Sequence, residues 1–179
     1  MKSLSSLAII GLLFFACKLC SFTGNTNRPI PDSSPSPQPL MYARELIKPQ
    51  LGSFTLLKSY TREETRKTAS GFAITALDSS TDAATGEYKS SNVKSVVLMA
   101  CAYSSQATPE SLVDEMEKEM RQSSAWRTVT NVPRQTGKRV EGQDRRGNGL
   151  VLWCNGQWLF MTIGDSLSDA SSLADAVGY

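Results

Sequence analysis

The sequence predicts an α+β fold: a single antiparallel sheet of about six or seven strands with helices packed mainly on one face. Three observations carry this. Short runs rich in Val, Leu, Ala and aromatic residues recur between clusters of Ser, Asn, Asp and Gly, which is the pattern of strands joined by turns. A segment opening at Thr108-Pro109 places Leu112, Val113, Met116 and Met120 at helical spacing, so that one stripe is apolar. Finally, Asn155-Gly156 lies between two apolar runs, a strong short-range hairpin signal.

Taken in chain order, Met41 to Ile47 reads as a short helix stopped by Pro49. Phe54 to Tyr60 reads as a strand. From Thr61 to Leu77 the pattern is ambiguous. Thr61 suits an N-cap for a charged turn, and Gly71 argues against one long helix. Ala83–Lys89 and Val93–Tyr103 form two strands joined at Ser90-Ser91-Asn92. In the amphipathic helix, Thr108 is the expected N-cap and Pro109 the first helical residue. Trp126–Val132 and Lys138–Gln143 read as further strands. The last segment, Asp165 to Val177, repeats apolar residues at helical spacing and stops at Gly178.

The hairpin fixes a register on paper. With Asn155-Gly156 as its turn, Cys154 faces Gln157, Trp153 faces Trp158, Leu152 faces Leu159 and Val151 faces Phe160. Leu150, Leu152, Leu159, Met161 and Ile163 then share one face. Val151, Trp153, Trp158 and Phe160 share the other. Both faces are apolar, so both need cover. If helices cover only one, Trp153, Trp158 and Phe160 become a candidate surface for a ligand or partner.

The amino terminus is organised differently. Lys2 precedes an uncharged apolar run from Leu4 to Ala16, followed by Cys17. The run is shorter than the roughly 20 residues a membrane-spanning helix needs and matches a secretory signal peptide. Leu13-Phe14-Phe15-Ala16-Cys17 resembles the lipobox of bacterial lipoproteins. Phe15 departs from it, standing where Ala, Ser or Thr is usual. The resemblance implies a signal peptide over 1–16, lipid attachment at Cys17 and localisation in the bacterial cell envelope. Cys20, after the bulky Leu19, is the weaker candidate. Five of the chain's eight prolines lie between residues 21 and 39. They predict a semi-extended stretch over 21–39 with a reach on the order of 60 Å, so that 17–39 forms the lipidated N-terminus and tether. Residues 40–179 then form one compact domain.

Composition narrows the chemistry. The formal net charge is +2, too small to suggest non-specific nucleic-acid binding. There is no histidine, so the commonest general base and metal ligand is absent. Gly164-Asp165-Ser166-Leu167 resembles the nucleophile block of GDSL esterases. No histidine exists to activate Ser166, and the block sits twelve residues from the carboxyl end rather than near a domain's start. Asp165 or Ser168 capping the last helix explains the string more simply. Cys101 and Cys154 are expected as buried free thiols, with a disulfide as the alternative. Arg134, Lys138, Arg139, Arg145 and Arg146, interrupted by Glu141 and Asp144, read as a solvated hairpin turn.

No catalytic, cofactor-binding or metal-ligating set emerges. The expectation is a membrane-anchored, non-catalytic binding or structural domain with no cofactor. An envelope protein is the expected partner. The alternative is a small-ligand or lipid carrier that uses the aromatic face.

Overall fold

The computed structural model describes residues 41–69, 71–93, 95–134 and 137–178. Cys17, Cys20 and the proline-rich stretch lie outside the described residues. An eight-stranded sheet runs through the domain, every neighbouring pair antiparallel. Its strands are β1 (Gln50–Leu51), β2 (Phe54–Thr61), β3 (Asp82–Lys89), β4 (Val96–Ala102), β5 (Trp126–Val132), β6 (Arg139–Asp144), β7 (Gly149–Asn155) and β8 (Trp158–Gly164). Their spatial order is β1-β2-β3-β4-β8-β7-β6-β5. Two four-stranded meanders therefore meet where β4 pairs with β8. The strand missing from the expected six or seven is β1. Two residues are too few to carry a period-2 pattern.

Among the described residues the helices are α1 (Ala43–Leu46), α2 (Arg62–Thr68), α3 (Phe72–Ser79), α4 (Ala107–Gln122) and α5 (Leu167–Val177). The ambiguous stretch after Thr61 is two helices broken at Gly71. Thr61 closes a capping box: its hydroxyl accepts from the Glu64 amide, and Glu64 accepts from the Thr61 amide. For α4 the cap differs from expectation. The helix begins at Ala107 after Gln106, which makes no side-chain cap bond, and Thr108 lies inside the first turn. Ser105 and Thr108 pair through their hydroxyls instead. Proline within a first turn removes an amide that has no intrahelical partner, so the later position costs nothing.

Helices cover both faces of the sheet, which corrects the expected one-sided arrangement. One core joins α3 and α4 to Met99, Cys101, Val140, Leu150, Leu152, Cys154, Leu159 and Met161. The other joins α1 and α5 to Tyr88, Leu98, Ala100, Val151, Trp153 and Phe160. The central strands are apolar on both sides because each side meets a helix layer. The close approach of α5 depends on Gly149, where a Cβ would collide with Leu167 Cα and the Ser166 carbonyl. Thr162, buried beneath α5, donates its hydroxyl to the Ala170 carbonyl at 2.8 Å.

The hairpin register also differs. Asn155 faces Trp158, Cys154 faces Leu159, and Trp153 faces Phe160. The turn is Gly156-Gln157 rather than Asn155-Gly156. Gly156 adopts φ +56°, and glycine at the first central position suits a primed turn as well as Asn-Gly does. The slip moves the pairing by two positions. Side chains alternate with period 2, so the face assignments of the hairpin survive intact.

Candidate functional site

The residues that attracted attention in the sequence resolve first. Trp153 and Phe160 are fully buried and stack with ring centroids 5.0 Å apart. Trp158 is half-buried, 6.2 Å from Phe160. The candidate aromatic surface is thus the second core, lidded by α5, with Trp158 at its margin. Ser166 is the N-cap of α5, its Oγ accepting from the Asp169 amide at 3.1 Å. The cap is Ser166 itself rather than Asp165 or Ser168.

Cys101 and Cys154 are free and buried. Both lie opposite Leu159, on the two strands flanking β8. Two strand spacings put them about 9.5 Å apart, beyond the roughly 7 Å limit for a disulfide. Burial pushes the Cys101 thiol up to about 12 and raises Cys154 as well, so neither forms a thiolate readily.

One polar cluster has no counterpart in the sequence reading. Glu87 accepts from the Tyr60 hydroxyl at 3.1 Å and the Ser95 hydroxyl at 2.8 Å. Desolvation first, then the Glu87 contact, raises Tyr60 to about 12. That keeps the phenol a donor rather than a nucleophile. The pairing comes from the β2–β3 register, where Lys58 faces Glu87 across a bulge. Residue spacing alone carries no signal of it.

The basic cluster is not one solvated turn. Arg139 is buried and pairs with Glu141 and Asp175, tying β6 to α5. Lys138 pairs with Asp114 on α4. Asp144 is buried and organises the β6–β7 turn, accepting from the Arg146 and Asn148 amides and the Asn148 side chain, each at 2.8 Å. Arg145 and Arg146 project from this turn and are exposed.

These arginines border the most open strand of the second meander. Among the described residues β5 is the sheet's last strand, with β6 as its one neighbour. Its first residue, Trp126, is buried, and the remainder, RTVTNV, is exposed or half-buried. The ladder skips between Trp126 and Thr128, which leaves Arg127 on a bulge. A cleft of about 230 Å³ lies between β5 and the end of α4, lined by Met120, Arg121, Ser123, Trp126, Arg127, Thr128 and Val129. The Trp126 indole N–H is buried and has no acceptor among the described residues. Arg121 bridges Glu117 and the Val129 carbonyl. Sequence reasoning found the strand but not its place, since edge position depends on the order of all eight strands.

Among the described residues, no group of three His, Cys, Asp or Glu converges to hold a metal ion. Nor is any helix there long and apolar enough to cross a membrane.

No protein-family model and no curated protein matches the chain. Among solved structures, the chain is similar to a GTP binding regulator from Thermotoga maritima. The two share 10% sequence identity over 75% of this chain and 81% of that one, with a TM-score of 0.49.

Proposed function

We propose that this chain is a lipid-tethered bacterial envelope protein whose folded domain is a non-catalytic module for binding a protein partner. The observation that carries the binding part is the contrast between committed and open groups. Ser166 caps a helix, Asp144 holds a turn, Arg139 is locked into ion pairs, and both thiols are buried. Among the described residues the edge strand β5 pairs on one side only, and Arg127, Arg145 and Arg146 beside it are exposed and enter no ion pair. A structural role for reactive-looking side chains, beside an open strand edge, fits a module that recognises rather than transforms.

The anchoring part rests on the lipobox-like segment at Leu13–Cys17 and the proline-rich stretch after it. Two acyl chains or more would make such attachment stable. The carrier alternative needs the Trp153–Phe160 face open, and α5 lies across that face.

Two measurements test the proposal. In bacterial cells expressing the full chain, crosslinking followed by purification should recover one defined envelope protein in stoichiometric yield. Recovery of the bait alone counts against a binding module. Metabolic labelling with a fatty acid should mark the chain and vanish in Cys17→Ala. Labelling that persists in this variant and disappears in Cys20→Ala would move the anchor.

A further inference from the structure

We propose that β5 is a strand-addition site that takes an extended, acidic segment of the partner protein. This rests on the protein-binding reading above and names the surface and the ligand chemistry. The two edges of the sheet are built differently. At one edge, β1 is two residues long and lies against α5, with the Gly52 Cβ position 3.3 Å from Ala176 Cβ. Beyond it, β2 carries a bulge after Leu56 and an exposed Lys58. Short strands, bulges and lysines are the devices that discourage pairing at an edge.

β5 carries less protection. Past the Arg127 bulge it offers Thr128, Val129, Thr130, Asn131 and Val132, with no proline, glycine or lysine among them. Thr and Val suit a pleated strand, and the Asn131 side chain donates to the Glu117 carboxylate on α4. One guanidinium, that of the half-exposed Arg121, reaches the Val129 carbonyl.

Charge specifies the occupant. Residues 121–148 hold seven Lys and Arg against two acids; of the seven, Arg121 is paired with Glu117, Lys138 with Asp114, and Arg139 with Glu141 and Asp175. Both acids are engaged, Glu141 with Arg139 and Asp144 within its turn. Among the described residues no ion pair takes up Arg127, Arg145 or Arg146. The Arg145 amide donates to the Ala125 carbonyl at 3.0 Å, which sets the basic turn beside the start of β5. An added strand would gain main-chain hydrogen bonds from the edge and its acidic side chains would meet these arginines. A cleft of about 230 Å³ opens beside this edge, between α4 and β5. Anionic lipid would meet the same arginines but would leave the hydrogen-bonding edge unused.

The test uses the full-length chain in detergent and a blocked nine-residue peptide alternating Glu with Val and Thr. Binding is followed by fluorescence anisotropy. The expected result is saturable binding, weakened about tenfold or more by R127E/R145E/R146E and lost when alternate peptide amides are N-methylated. Equal binding of the N-methylated peptide overturns the proposal, because the ladder is then not used. Binding to phosphatidylglycerol vesicles without binding to the peptide overturns it in favour of a lipid surface, and binding to neither overturns it outright. The crosslinking experiment separates this proposal from the reading beneath it. If R127E/R145E/R146E still captures the partner at wild-type yield, the chain is a binding module and β5 is not its site. If the wild-type chain captures none, the binding reading itself fails.

Discussion

β4 and β5 are both seven residues long, and they live in different environments. Every residue of β4 is buried, whereas in β5 only Trp126 is. β4 is flanked by β3 and β8 and covered by helices on both faces; among the described residues β5 has one neighbour. The composition follows: VVLMACA has no charge and no β-turn residue, while WRTVTNV mixes one anchoring aromatic with polar and β-branched side chains. Within one sheet, the centre is buried on both faces, and the edge is the surface proposed for recognition. Stability and binding should therefore respond to different residues.

The largest expected effect lies in the sealed half. Trp153, on β7, is fully buried against Phe160 beneath α5. Trp153→Ala should cost roughly 3–5 kcal/mol, read from urea unfolding followed by circular dichroism. A loss under 1 kcal/mol would mean that the aromatic face is open and that the contrast with β5 is false.

A second test is alkaline pH. Burial raises Cys101, on β4, from 9.0 to about 12 and Tyr88 from 10.0 to about 12. The folded state holds these protons more tightly than the unfolded chain. Stability from these groups is therefore complete below about pH 9 and falls as pH climbs towards 12. In Cys101→Ala the slope of unfolding free energy against pH between 9 and 10 should become shallower by up to one proton. An unchanged slope would show that the thiol is not desolvated as its position in β4 requires.

The smallest effect belongs to the edge. Thr130 is exposed on β5, and Thr130→Ala should change stability by less than about 0.5 kcal/mol. A cost comparable to that of a core substitution would place β5 in a buried interface of the domain's own making.

Much of this arrangement was legible in the chain. Apolar runs located β2 to β8, helical spacing located α4 and α5, and Gly178 marked the end of α5 with a left-handed conformation. The faces of the β7–β8 hairpin followed from period-2 alternation and survived a wrong register. What escaped depends on contacts distant in sequence. β1 is too short to show a period. The second helix layer arises because α1 and α5, at opposite ends of the described chain, converge on one face. Arg139 reads as a solvated charge until Asp175, from α5, is brought against it. The candidate site was hardest to see, because a Thr-Val-Thr-Asn run looks the same in a covered strand as in an open one.

Amide hydrogen exchange tests the central claim most directly. In the free protein, amides of residues 96–102 should exchange slowest and those of residues 127–132 much faster. Adding the acidic peptide should slow exchange across residues 127–132 and leave residues 96–102 unchanged. Protection that is absent from β5, or that appears on another element, would contradict the assignment of binding to this edge.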